Sequence, residues 1–506
     1  MNVSPLNMQV SNLSRWFVAM MLFAIFAGTA TAAEFRFHRD GILGTSFDLT
    51  VAARGSNEAE RVEQAALGEI QRLARILSSY DKTSDVSRIN GSLTPVKVAP
   101  EVFDVLGACE AWGARSKGAY SGQLGELIAT WKLSEKAGTP PTAALVQPVI
   151  AQLTQPGWTL DRAAGTVTRR DGVALNVDSF GKGYIISKAA AVAQTATEGV
   201  SGGMLNIGGD IFAWGSRSAT SAVPWRVAVM DPRNPYDNFR PLTRVAVSGL
   251  AVSTSAGYAR SYRFGKTSYS HILDPRTGFP ATNAASATVI APASGTANAL
   301  ATTLCVLRPD EGLQLVQETP GAECLIVMRD GKQWKSSGFA ALEVARTATK
   351  PGASKPSLWP AGYELAVEVT MKSPAGNAKR PYLVLWIENE QGQPVRTVTL
   401  WGNKSKYFKD LPAWWRFAKD DAENIGDVSR ATRNFGRYSI QWDGRDDQGE
   451  PLPPGTYNIT LEVTREHGTH AKRSVKIECG DKPVNAVIQA GSEFEEAPVT
   501  YGPKGG

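Results

Sequence analysis

Cysteine is scarce in this chain of 506 residues: Cys109, Cys305, Cys324 and Cys479 are widely separated, with no CxxC pair and no metal-type spacing. That excludes a thiolate zinc framework and leaves any disulfide unassigned, with buried thiols the expected state. No Lys/Arg run is present, and a formal net charge of +6 is small for this length. A partner recognised through its phosphate backbone is therefore excluded, and no nucleic acid is expected to bind. Long apolar runs are also missing, apart from Trp16 to Gly28. That run follows Arg15, precedes Ala30-Thr31-Ala32, and is shorter than the roughly 20 residues a membrane span needs. Residues 1–33 are therefore expected to be a cleaved signal peptide, with an uncleaved anchor as the minor alternative. No cysteine follows the run, so a lipid anchor is not indicated.

What remains is long enough for two or three domains. Residues 34–348 mix strand and helix patterns and predict an α+β unit. Val62, Ala66, Ile70, Leu73 and Leu77 recur at helical spacing in Glu58 to Ser78, and Val102 to Ser116 reads as a second helix. Pro148 to Leu153 reads as a short helix with its proline in the first turn. Val173 to Val177, Gly203 to Trp214, Trp225 to Asp231 and Ala287 to Ala291 read as strands, Gly183 to Ala193 and Thr296 to Leu307 as helices. Residues 349–360 are rich in Pro, Gly, Ser and Lys and predict a linker. Residues 361–480 read as an all-β, immunoglobulin-like sandwich, with Trp442 to Tyr457 spanning two strands and a polar turn. Residues 481–506 read as a flexible tail.

Histidine is as sparse as cysteine, and between positions 39 and 466 only His271 occurs. It sits in Ser270-His271-Ile272-Leu273-Asp274-Pro275-Arg276-Thr277-Gly278-Phe279-Pro280, beside an acid, an arginine and a Pro/Gly turn. Such a cluster can hold a general base, because imidazole titrates nearest neutrality; a buried turn with a satisfied ring is the plainer alternative. Gly181-Lys182-Gly183 at a helix start offers backbone donors and a cation suited to phosphate, although Gly-Lys-Gly is commonly an exposed turn. Asn298 and Thr302, four residues apart, share a helix face and offer two oxygens that suit a hard cation; as a pair they are equally an ordinary surface couple. Leu205-Asn206-Ile207-Gly208-Gly209-Asp210 is a tight turn by composition.

Taken in order, these phrases and Ser78-Ser79-Tyr80-Asp81, Gly118-Ala119-Tyr120-Ser121, Asp178-Ser179-Phe180-Gly181 and Ser253-Thr254-Ser255-Ala256-Gly257-Tyr258 resemble the ApbE family, the FAD:protein FMN transferases. The resemblance covers roughly residues 40 to 345. It implies an exported, periplasmic α+β enzyme that splits FAD at its pyrophosphate with the help of Mg2+. FMN is joined through a phosphoester to a Thr or Ser of an acceptor protein, and AMP is released. It implies FAD contacts at Leu43, Tyr80, Ala119, Tyr120, Ser121, Asp178, Tyr184 and Ile272. It places Mg2+ at the Gly181 carbonyl, Asn298 and Thr302, and makes His271 the base toward the acceptor hydroxyl. Association with a membrane is expected only through an uncleaved signal segment or a membrane-bound acceptor. The C-terminal part is similar to a periplasmic domain of unknown function found with ApbE domains, and to immunoglobulin-like domains of the flagellar hook-capping type.

Three positions depart from the family pattern. Leu43 stands for a usual Met, Ser121 for an Asp, and Asn298 for an Asp at the metal position. The last exchange keeps an oxygen ligand and loses its charge, which predicts weaker cation binding. Two alternatives follow: a degenerate FAD-binding module in a periplasmic redox complex, and an FAD pyrophosphatase. No copy of the family's acceptor motif is found here, so self-modification is not expected.

Overall fold

The computed structural model describes residues 32–503 except 234–240, 258–260, 266, 345–359, 361, 373–380, 403–404, 420–428, 431–435 and 466–468. The apolar run of the signal segment, most of the linker, Tyr258 and His467 lie outside the described residues.

Alternation of apolar and polar residues carries the first unit. Along Thr45–Ala53, Phe47, Leu49 and Val51 point to one core while their neighbours face away. This strand belongs to an antiparallel sheet of eight, with strands β1 (Ala33–Ile42), β2 (Thr45–Ala53), β3 (Val200–Ile207), β4 (Asp210–Gly215), β5 (Leu250–Ala256), β6 (Ala284–Ala291), β7 (Glu323–Met328) and β8 (Gln333–Lys335) side by side in chain order. Helices inserted between strands cover one face: α1 (Ser56–Leu77), α2 (Pro100–Arg115), α3 (Asp178–Thr195) and α4 (Ser294–Val306). In α1 the buried stripe Val62, Ala66, Ile70, Leu73 and Leu77 follows helical spacing and packs toward α3. The other face is closed by the hairpin Trp225–Val229/Thr243–Val247 and Phe339, which cover Ala213, Val252, Ile290, Leu325 and Val327. A smaller core gathers Leu127, Trp131, Val146, Tyr262, Phe264 and Leu273 around the hairpin Ser261–Phe264/Thr267–Ser270.

The α+β expectation holds, and several local readings change. Gly203 to Trp214 is a hairpin, turning at Gly208 and Gly209, both at positive φ. Val173 to Val177 forms no strand; only Ala174 makes a single bridge, to Leu124. The helix ending at Leu153 starts at Ala143, so Pro148 lies inside it. Helix α3 starts at Asp178, not Gly183, so Gly181-Lys182-Gly183 lies within its first two turns. Glycine at 183 is required by packing: a Cβ there would lie 2.4 Å from the Ser294 carbonyl oxygen, where the first turns of α3 and α4 touch backbone to backbone.

The C-terminal unit is all-β, as expected. Strands β9 (Tyr363–Met371), β10 (Tyr382–Glu388), β11 (Pro394–Trp401), β12 (Ser429–Arg430), β13 (Gly436–Trp442), β14 (Gly455–Thr464), β15 (His470–Cys479), β16 (Val484–Ile488) and β17 (Ala497–Pro503) form two sheets, ordered β13-β9-β17-β16 and β12-β11-β10-β14-β15. They enclose a core that includes Val367, Leu385, Trp442, Leu461, Phe494 and Val499. Trp442 and Tyr457 therefore lie on strands of opposite sheets, and the polar stretch between them crosses the sandwich. The expected flexible tail is corrected: β17 pairs centrally with β9, and Phe494, Val499 and Tyr501 are buried. Its alternation of single apolar residues with Pro, Gly and Glu is too diluted to read as a strand, yet the sheet needs it.

Candidate functional site

The site lies where α3 and α4 begin, against the β3–β4 turn and the end of the β1–β2 hairpin. Gly208 N–H donates to the Ser46 carbonyl at 3.0 Å, and a Cβ at Gly208 would strike Thr45, so the two turns are locked together. Leu43 occupies the tip of the first hairpin at φ 51, between Gly41 and Gly44, partly buried. A non-glycine residue in the left-handed region is uncommon and marks a position held by its surroundings.

On the α1 side, Ser79 Oγ donates to Asp178 Oδ1 at 3.1 Å, tying the loop that presents Tyr80 to the first residue of α3. Tyr80 is 75% exposed, the most exposed large apolar side chain among the described residues. An aromatic ring left in water beside a helix start is free to cover a planar ligand. Asp178 also accepts from Asn176 Nδ2. Ala119 and Tyr120 are buried instead; the Tyr120 hydroxyl accepts from Ser179 Oγ at 3.1 Å and lies 3.6 Å from Cys109 Sγ. Burial holds the Tyr120 phenol well above its usual range and pushes the Cys109 thiol up to about 12. Both therefore serve as neutral wall. Ser121 Oγ accepts from the Gln123 amide, closing its own turn. Tyr184, one turn on from Gly181, donates to Asp104 Oδ2 at 3.0 Å and carries Lys188 Nζ over its ring at 5.2 Å. Burial, then the Asp104 bond, raises its phenol.

The polar centre is a chain of three side chains. Asn298, in the second turn of α4, donates from Nδ2 to Asp210 Oδ1 at 3.2 Å. Asp210 Oδ2 pairs with Lys182 Nζ at 2.6 Å, and that ammonium also donates to the Gly208 carbonyl at 3.2 Å. Thr302 Oγ1 donates to the Asn298 carbonyl at 3.1 Å and shares a hydrogen bond with Ser255 Oγ on β5. Asn298 Oδ1 is buried and has no hydrogen-bond partner among the described residues. A buried carbonyl oxygen left orphaned calls for a partner, and a hard cation is one. Asn298 and Thr302 share the helix face that the sequence pattern indicated, with the buried Gly181 on the helix packed against it. The donor set suits Mg2+ held through neutral oxygens; no cluster of three or more His, Cys, Asp or Glu occurs among the described residues.

His271 follows the strand Thr267–Ser270 and opens a loop tied at several points. Ser270 Oγ accepts from the Ile272 amide, Ala281 N–H donates to the Ile272 carbonyl, and Gly278 N–H donates to the Asp274 carbonyl at 2.7 Å. Arg276 forks onto Asp274 at 2.9 and 2.8 Å. Trp131 Nε1 donates to the Gly278 carbonyl at 2.9 Å, anchoring the loop to the aromatic core. Ile272 is buried, and a Cβ at Gly118 would meet Arg276, which brings the 118–121 loop beside this one. Lys182, expected as a cation for phosphate, instead pairs with Asp210, to which residue-by-residue reading assigns no role. That pairing joins residues 28 positions apart and depends on the fold.

All four cysteines are free and buried, the state expected from their spacing. No helix among the described residues is long and apolar enough to cross a membrane.

Comparison with known proteins shows the family and the fold. The ApbE family profile matches residues 43–326, more than half of the chain. A predicted periplasmic protein family (DUF2271) matches residues 360–496. Among curated relatives, the FAD:protein FMN transferase of Treponema pallidum is 28% identical over 59% of this chain and 86% of its own length. That of Klebsiella pneumoniae is 26% identical over 62% and 89%. Among solved structures, the ApbE protein of Thermotoga maritima superimposes with a TM-score of 0.56 at 26% identity, covering 62% of this chain and all of that one. The flavinyl transferase ApbE of Pseudomonas stutzeri, at 24% identity and TM-score 0.53, shares the fold.

Proposed function

We propose that this chain, which belongs to the ApbE family, is a periplasmic flavin transferase that moves FMN from FAD to a Thr or Ser hydroxyl of an acceptor protein and releases AMP. The observation that carries the reading is the orphaned Asn298 Oδ1, set among Lys182, Asp210 and Thr302. In this reading the Gly181 carbonyl, Asn298 and Thr302 hold Mg2+, which when bound neutralises charge on the diphosphate. Tyr80, Leu43 and Ile272 offer apolar surface to the isoalloxazine. Asp178, on its exposed helix start, takes a polar edge of the flavin. The amides at the start of α3 favour an anionic phosphate. His271 accepts the proton of the acceptor hydroxyl as its oxygen forms the bond to FMN phosphorus and the AMP oxygen leaves. Asp274 and Arg276 pair with each other, so neither competes for that proton.

The test is one incubation of the full chain with FAD, Mg2+ and an acceptor peptide bearing a Thr beside Gly-Ala. Covalent fluorescent flavin together with AMP is the expected result. Free FMN and AMP without an adduct indicate pyrophosphatase activity instead. Bound FAD with no product indicates a flavin-binding module, and neither binding nor product removes the flavin reading.

A further inference from the structure

A carboxamide is nearly symmetric in shape, so asparagine at a metal position can turn either its oxygen or its two N–H donors toward the cation. Only the first orientation binds. We infer that Asp210, held by Lys182, is the positioning residue that selects it. This inference rests on the proposed cation position and concerns how it is built.

A carboxylate accepts hydrogen bonds and cannot donate them. Asp210 Oδ1, 3.2 Å from the Asn298 side chain, therefore takes the Nδ2 side, and Oδ1 of Asn298 is turned away into a buried space without a partner. The reversed amide would set oxygen against carboxylate oxygen at that distance, in a region nearly closed to water. Asp210 is itself fixed, since its side chain is only 8% exposed and its second oxygen is held by Lys182 at 2.6 Å. Lys182 is fixed in turn by the Gly208 carbonyl of the β3–β4 turn. The helix side is held independently, by Thr302 Oγ1 on the Asn298 backbone.

The arrangement also assigns the charge. Lys182 offsets Asp210, so the oxygens facing the cation position, from Gly181, Asn298 and Thr302, are neutral. A single Asn298→Asp exchange brings back the acid of the family pattern but removes the amide donor that Asp210 accepts, so without a bound cation the two carboxylates repel across about 3 Å. The conservative change is the double exchange Asp210→Asn with Asn298→Asp. The new amide at 210 can donate to the new acid at 298, and the charge moves next to the cation.

The experiment is a titration of the full chain with Mn2+, followed by loss of the free-ion electron paramagnetic resonance signal, with and without saturating FAD. Circular dichroism checks that each variant is folded. Asp210→Asn is expected to weaken Mn2+ binding by about tenfold or more, because the charged acceptor that orients the amide is gone. FAD quenching without metal is expected to change less than metal binding does. The double exchange is expected to return Mn2+ affinity to the original level or better. Unchanged affinity in Asp210→Asn overturns the inference. So does a double exchange no better than the single one, or a parent protein that binds no Mn2+ in either arm. A parent that binds Mn2+ in an Asp210-dependent way but no FAD removes the flavin reading and leaves this inference standing.

Discussion

Two buried polar side chains, Glu462 in the sandwich and Asn298 in the α+β unit, meet their surroundings in opposite ways. Glu462, on β14 of the sandwich, is fully buried, and its oxygens accept from the Ala413 and Trp414 amides at 3.1 and 3.0 Å and bond His470 Nε2 at 2.8 Å. It caps the first turn of the helix Pro412–Ala418 from outside the helix, a satisfied structural arrangement. Asn298 in the α+β unit is buried to a similar degree but leaves an oxygen without a partner. An orphaned acceptor does not by itself mark a ligand site, since Gln123 Oε1 and Gln441 Oε1 are also buried without partners among the described residues; Asn298 is set apart by its bond to Asp210, the acid that Lys182 holds.

The comparison can be broken at four points. The largest effect belongs to His271→Ala: transfer falls by roughly 100- to 10,000-fold, the range for a lost general base, while FAD binding persists. Normal turnover in a fluorescence assay of adduct formation removes His271 from the mechanism. Glu462→Ala leaves two buried amides without acceptors and lowers sandwich stability by about 2–3 kcal/mol. Calorimetry of the full chain reads this, and FAD affinity stays at its original value if the two units divide labour as described. Gly278→Ala sharpens the contrast from the site side. Gly278 has φ +75 and a Cβ there would lie 2.0 Å from Val146 Cγ1, so the His271 loop must shift. A cost of about 1–3 kcal/mol in stability is expected, together with a fall in kcat larger than any change in FAD affinity. The smallest effect concerns His38, whose imidazole pKa is raised, chiefly by its hydrogen bond to Asp48 at 2.7 Å. A raised folded-state pKa adds stability that is complete below the ordinary value near 6.5 and fades as pH rises through the raised value. His38→Asn should flatten that dependence in thermal melts taken across the interval. A parallel curve for the variant excludes the pair as its source.

Legibility in the sequence followed the strength of local signals. Helix α1 and the strands from Tyr363 to Thr464 could be placed closely, because their periodicity is strong and their boundaries carry turn residues. Pro148 was misplaced because a proline in a helix interior is indistinguishable from one in a first turn without knowing what packs around it. Gly203 to Trp214 reads as strand throughout because both arms of the hairpin are largely apolar, although the Gly-Gly-Asp phrase between them carries the composition of a tight turn. The final strands escape local reading because β17 is held by β9, more than 100 residues away in the chain, Tyr363 pairing with Pro503, and β16, among the described residues, pairs only with β17. In the candidate site, His271, Asn298 and Thr302 stand out in the sequence, and the roles proposed for them come from the family resemblance. Lys182 and Asp210 stood in weak phrases, and a Gly-Gly-Asp turn gives no hint that its acid meets a lysine and an asparagine from two helices.

Residue chemistry and local order, read from the chain alone, determined which groups could act: one imidazole in the interior of the sequence, an oxygen pair on one helix face, glycines where backbone must approach backbone. Tertiary structure alone decided which of them lie together. Hydrogen bonds and ion pairs fall off within a few ångströms, so the direction of the Asn298 amide depends on an acid 88 positions away, and no local pattern carries that information.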